Sequence, residues 1–131
     1  MGQPAAKQGD QIVATDIHIV MIPTSGGPVP TPLPHPFTGQ LDSELSSDVK
    51  IEGKPAATQG SKASNLPPHI PQGGPFQTPP KDKGEVLIAS TTVMINGKGA
   101  ARNGDVALTC NDPADLPAGQ VIAVSMVMIG G

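Results

Sequence analysis

Apolar and polar side chains alternate most clearly over residues 11–22, where Ile17, Ile19 and Met21 fall on one side and His18, Val20 and Ile22 on the other. A period of two is the mark of a strand, because successive side chains leave a pleated chain on opposite faces. His18 is thereby set on the face opposite Ile17 and Ile19, as a residue aimed at something particular would be. Further along, Val106, Leu108 and Cys110 alternate with Ala107 and Thr109. Residues 85–95 are rich in Val, Ile and Thr, and residues 121–129 form a closing apolar run. Each predicts strand. Cys110 then falls at a strand end before a loop over residues 111–119, and residues 81–84 read as a solvated turn. Only residues 41–47 offer a helical turn, with Asp42 or Ser43 as its cap. The pattern predicts an all-β chain of short strands and turns with little helix.

Two segments interrupt the alternation. Residues 23–36 carry Pro23, Pro28, Pro30, Pro32, Pro34 and Pro36, and residues 66–80 are similarly proline-rich. Proline has no N–H to give to a ladder, so these stretches predict extended arms instead of helix or central strand, and composition alone favours flexible linkers. His35 and His69 lie in the two arms.

The chain also repeats itself. Residues 93–105 align with residues 49–61, placing Val49, Ile51, Gly53, Lys54, Ala56, Ala57 and Gly60 under Val93, Ile95, Gly97, Lys98, Ala100, Ala101 and Gly104. Gly2, Pro4, Ala5, Ala6, Gln8 and Gly9 align in turn with Gly53, Pro55, Ala56, Ala57, Gln59 and Gly60, and residues 127–131 match the start of the unit. Three copies of one turn-and-strand module imply a fold built on an internal repeat. Val93, Ile95, Val127 and Ile129 are candidates for strands at its base.

Composition narrows the picture. The 131 residues include 16 Gly, 16 Pro and only two aromatic residues, Phe37 and Phe76. That leaves a thin core of Val, Ile, Leu, Met and Ala in one domain spanning residues 1–131, for which a second source of stability would help. A net charge of −3 with scattered Lys and Arg argues against nucleic acid. No run is long and apolar enough for a membrane span, and the N-terminus lacks the apolar core of a signal peptide, so a soluble cytoplasmic product is expected. One cysteine excludes a disulfide within the chain.

That cysteine and the three histidines are the candidate chemistry. His18 and His69 stand at the same distance after Gly9 and Gly60, and Cys110 stands near the equivalent place after Gly104. Three imidazoles and a thiolate, His18, His35, His69 and Cys110, make a closed donor set suited to structural zinc. Their wide spacing is unlike a zinc finger, and the alternative reading is of hydrogen-bonded histidines with Cys110 as an apolar filler. A small metalloenzyme or thiol enzyme using the same residues, and a metal-free proline-rich adaptor, are the competing functions. Residues 97–102 resemble a dinucleotide-binding turn only weakly, with Arg102 where the third glycine belongs.

Pro-Ala-Ala-Lys at 4–7, Pro-Ala-Ala-Thr at 55–58 and Gly-Ala-Ala-Arg at 99–102 resemble the motif of the PAAR-repeat proteins that cap the spike of contractile injection systems. The resemblance implies a compact cone with one zinc ion near its apex, held by His18, His35, His69 and Cys110. It further implies a non-enzymatic tip, one per trimeric β-helical spike, that sharpens a type VI secretion or extracellular phage-tail-like particle and touches the target membrane on firing. The chain would be made in the bacterial cytoplasm and then mounted on the particle. No toxin domain of its own is expected, and effector cargo would bind elsewhere.

Overall fold

The structure, a computed structural model, describes residues 2–130. Met1, which opens the first repeat copy, and Gly131, which closes the final partial match, lie outside the described residues. Twelve strands follow one another: β1 (Gln3–Pro4), β2 (Gln11–Ile22), β3 (Val29–Ser43), β4 (Lys50–Ile51), β5 (Lys54–Pro55), β6 (Lys62–Asn65), β7 (Lys83–Val86), β8 (Met94–Ile95), β9 (Lys98–Gly99), β10 (Val106–Thr109), β11 (Leu116–Ile122) and β12 (Met128–Ile129). There is no helix among the described residues, and the fold is all-β as the alternation implies. Six strands close an antiparallel barrel in the order β10-β11-β2-β3-β6-β7. The other six form three two-stranded ribbons.

The long hairpin of β2 and β3 is the spine of the barrel. It holds an unbroken register from Gln11↔Gln40 to Ile22↔Val29. Here the expectation of an extended, flexible arm at residues 23–36 is corrected. Pro30, Pro32, Pro34 and Pro36 occupy alternate positions, and in an antiparallel pair alternate residues turn their N–H away from the partner. The prolines therefore cost nothing on the β2 side, where Thr31, Leu33 and His35 can supply the ladder. They leave the other edge without donors, and β6 pairs with that edge only from Gly39 onward. Alternating prolines thus make a strand with one working edge.

The far end of β2 is satisfied by the second proline arm. The N–H of Met21 donates to the carbonyl of Pro75 at 2.8 Å, and Gln77 N–H donates to the carbonyl of Ile19 at 2.8 Å. Between that contact and β11, the Asn111 and Asp112 side chains accept from the N–H groups of Ile17 (2.6 Å) and Ile19 (2.8 Å). Both proline arms are therefore part of the folded body.

The three repeat copies wind around one axis. Ala6 N–H donates to Ala101 (2.9 Å), Ala101 to Ala57 (3.0 Å) and Ala57 back to Ala6 (3.0 Å), a closed ring of backbone hydrogen bonds. A second ring runs from Gln8 to Pro55, Gln59 to Gly99 and Asn103 to Pro4, at 2.8–2.9 Å. Each copy carries one ribbon, β4–β5, β8–β9 and β1–β12, so the first copy is completed by the last strand of the chain. Ala5, Ala56 and Ala100 with Ile51, Ile95 and Ile129 pack into a small buried cluster, one Ala and one Ile from each. Only alanine-sized side chains permit three backbones to approach so closely.

The losses from the repeat motif also have causes. Gly99 replaces proline because a Cβ there would lie 2.3 Å from the Ser90 carbonyl oxygen. The turn residue after each glycine caps its own copy: Lys7 N–H donates to Asp10 (3.0 Å), Thr58 N–H to Ser61 Oγ (2.8 Å) and Arg102 N–H to Asp105 (2.7 Å). Ser61 thus does what the aspartates do. Gly9, Gly60 and Gly104 share φ of 90°, 92° and 89°, a conformation that favours glycine.

Above the rings lies the main core, which gathers Ala6, Ala57 and Ala101 with Ile12, Phe37, Leu41, Val86 and Val121. Along β2 the inward face reads Ile12, Ala14, Asp16, His18, Val20, so the core gives way to polar groups as the strand leaves the repeats. Several boundaries differ from expectation. Residues 41–47 form no helical turn, since Leu41 and Ser43 pair with β6. Lys83 and Gly84 belong to β7 instead of a turn, and β11 begins at Leu116 inside the expected loop. The closing run divides at residues 123–127 between β11 and β12.

Candidate metal centre

The inward face of β2 carries the site away from the repeats. At about 3.3 Å per residue, His18 stands roughly 23 Å along the strand from Gln11. His35 enters from β3, directly opposite Asp16 in the register. His69 comes from the second proline arm and Cys110 follows β10. Asp16, His18 and Cys110 are almost wholly buried, and His69 is 9% exposed.

Three of the four expected residues meet closely, together with a fourth that residue types did not single out. Donor atoms of Asp16, His18, His69 and Cys110 all lie within 4.8 Å of one another. Cys110 Sγ is 3.6 Å from His18 Nε2 and 3.4 Å from Asp16 Oδ2, and His69 Nε2 is 2.9 Å from Asp16 Oδ2. His35 lies outside this tight set but within the same nest of rings, 5.6 Å from His18 and 5.5 Å from His69 between ring centroids. Phe37 and Phe76 complete the nest, Phe37 against His69 and Phe76 against His18 and His35.

The supports of the cluster are specific. Thr109 Oγ1 donates to Asp16 Oδ1 at 2.5 Å, and Asn111 Nδ2 lies 3.5 Å from the same oxygen. His69 is fixed through its backbone N–H, which donates to Asp82 at 2.8 Å, and through Asn65 Nδ2, 3.3 Å from its Nδ1. His35 Nδ1 lies 2.9 Å from the Leu33 carbonyl. His18 Nδ1 and His35 Nε2 are buried without a hydrogen-bond partner, although an Asp112 carboxylate oxygen is 3.6 Å from the former. Buried polar atoms are normally paired, so the protein alone does not satisfy this cluster.

Burial and the Asp16 charge push the Cys110 thiol up to about 12. Burial also lowers His35, helped by the neighbouring His69 and His18 and opposed by its Leu33 hydrogen bond. Without a cation the sulfur keeps its proton. Imidazole, thiolate and carboxylate donors converging in a buried pocket fit a divalent metal ion, whose charge would reverse the sulfur's preference. Two cavities reach the cluster, one of about 270 Å³ lined by His35 and His69 and one of about 90 Å³ lined by His18 and Cys110.

Asp16 had a signal in the sequence: it is two residues before His18 on a period-two strand, hence on the same face. No protein-family model matches the chain, and no curated protein matches it.

Proposed function

We propose that this chain is a metal-hardened, non-enzymatic tip that caps a trimeric β-helical spike of a contractile injection system, of the type VI secretion or extracellular phage-tail-like kind. The observation that carries the reading is the pair of closed hydrogen-bond rings joining the three repeat copies. A single chain with this pseudo-three-fold end can match a three-fold shaft without being a trimer itself.

The surface around that end supports the same reading. Val49, Val93 and Val127, equivalent in the three copies, are each a third or more exposed, beside the exposed Met94 and Met128. Val124 and Met126 nearby are 77% and 88% exposed. Apolar side chains gathered at one end suit a protein partner. At the other end the proposed ion is zinc, held by His18, His35, His69 and Cys110 with Asp16 beside them. When bound it would tie β2, the second proline arm and the end of β10 together. Phe76 packs against the His18 and His35 rings at that junction.

The competing thiol-enzyme reading calls for a sulfur with a lowered pKa, and Cys110 has the reverse. Effector cargo and brief contact with a target membrane belong to the proposal as consequences of the tip's place on the particle. To test it, the chain is co-expressed with a tagged trimeric β-helical spike protein from the same genome and retention on that spike is measured. The wild type is expected to co-purify, and a Met94→Asp, Met128→Asp double variant is expected to be lost while keeping its thermal midpoint. Equal retention of both would count against this end as the docking face.

A further inference from the structure

Granting that an ion is held by His18, His35, His69 and Cys110, as the proposed function has it, two of those donors sit on separate segments: His69 in the second proline arm and Cys110 just past β10. We propose that Asp82 is the positioning residue that sets these two against each other, its carboxylate holding His69 and its backbone turning two N–H groups onto the Cys110 sulfur.

Topology is the first ground. Strand β7 pairs with β6 on one side, Ser64↔Lys83, and with β10 on the other, Thr109↔Gly84. Just before β7, the Asp82 carbonyl accepts from the Asn65 N–H at 2.9 Å, and Cys110 is the residue that follows Thr109. Asp82 therefore stands where the ends of β6, β7 and β10 meet, between the arm that leaves β6 and the cysteine that leaves β10. From there its Oδ1 accepts from the His69 backbone N–H at 2.8 Å and lies 3.3 Å from Asn65 Nδ2. Asn65 Nδ2 is also 3.3 Å from His69 Nδ1, so the histidine is steadied at its backbone and at its ring.

Backbone conformation is the second. Asp82 has φ of 57°, in the left-handed region that most side chains avoid and that Asp and Asn tolerate best after glycine. A left-handed residue lets successive N–H groups converge on one point, as in the nests that bind anions. Here the N–H groups of Asp82 and Lys83 both face the Cys110 sulfur. In the metal-free protein burial and Asp16 outweigh them, and the sulfur keeps its proton. With that proton displaced on metal binding, the same two N–H groups become hydrogen-bond donors to a thiolate. Outer contacts of this kind orient a ligand and tune its electron donation. One residue thus sets a nitrogen donor from the proline arm and the sulfur donor beyond β10 in a common frame.

The test compares wild type with Asp82→Asn, Asp82→Gly and Asp82→Ala, by zinc competition against a chromophoric chelator and by the near-ultraviolet sulfur-to-metal charge-transfer band after loading with cobalt(II). Asparagine keeps an accepting oxygen and tolerates the left-handed backbone, so Asp82→Asn is expected to stay close to the wild-type affinity with its band in place. Glycine keeps the backbone alone. Asp82→Gly is expected to weaken zinc binding by about 10–100-fold, the usual effect of losing an outer partner, without moving the band. Alanine loses the carboxylate and disfavours the left-handed turn, so Asp82→Ala is expected to weaken binding at least as far and to shift the band as the N–H groups leave the sulfur. Wild-type affinity in Asp82→Gly overturns the role of the carboxylate, and an unmoved band in Asp82→Ala overturns that of the N–H groups. A loss in Asp82→Asn as large as in Asp82→Gly also overturns the assignment. A wild type that takes up neither zinc nor cobalt overturns the metal reading itself, whereas variants that match a metal-binding wild type overturn only the part given to Asp82.

Discussion

Cys110 and His35 are held away from their ordinary ionisation in opposite senses, and each makes the metal-free protein sensitive to pH on its own side. The Cys110 thiol is raised by burial and by Asp16 from 9.0 to about 12. Below pH 9 folded and unfolded chains both keep the proton. Above it only the unfolded chain releases it, so stability contributed by the protonated thiol is lost as pH rises from 9 toward 12. Thermal midpoints of metal-free protein should fall across that window, and Cys110→Ala should flatten the fall; an identical slope in the variant would contradict the assignment. His35, lowered from 6.5 by burial, acts in reverse: its share of stability is present above pH 6.5 and is lost on acidification, as the unfolded chain takes up the proton first. His35→Gln should flatten that acid limb. At this scale the sequence made His18, His69 and Cys110 legible, because few other nitrogen or sulfur donors exist. Asp16 was not, since an aspartate among many acids becomes distinctive only when its face proves to be the buried one.

Strands and turns show where local reading succeeds and where it stops. The alternation over β2 and the triplicate glycine turns are properties of neighbouring residues, so they could be read directly. The role of the prolines in β3 could not, because it depends on which edge the partner takes. Leu33→Pro would remove a donor from the β2 side and should cost about 1–3 kcal/mol in urea unfolding. Pro34→Val should change stability by less than about 1 kcal/mol while adding an edge donor, visible as greater self-association in sedimentation. An equal cost for the two substitutions would mean that the alternation has no bearing on pairing. The starts of β7 and β11 were likewise hidden, since both strands are defined by pairing with the distant β10. Gly99→Ala should destabilise by about 1–3 kcal/mol or more, because the obstructing Ser90 atom is backbone and cannot swing aside.

For the molecule as a whole, the repeat announced three related modules, but their closure into rings and the barrel above them rest on contacts far apart in sequence. The thin core, with Phe37 its only aromatic member among the described residues, makes the proposed metal loading matter for the whole body. Saturation at a thousand times Kd adds about 4 kcal/mol, which in a domain of this size is roughly 10–20 °C in thermal midpoint. Chelation should therefore lower the midpoint by that order, measured by scanning calorimetry before and after a chelator, and a chelator without effect would contradict a structural ion. The most direct test of the account is native mass spectrometry of the complex proposed with a trimeric spike, since one mass reads both ends of the molecule. One chain, three spike subunits and one zinc ion is the expected composition; three chains per trimer, or a complex without metal, would contradict it.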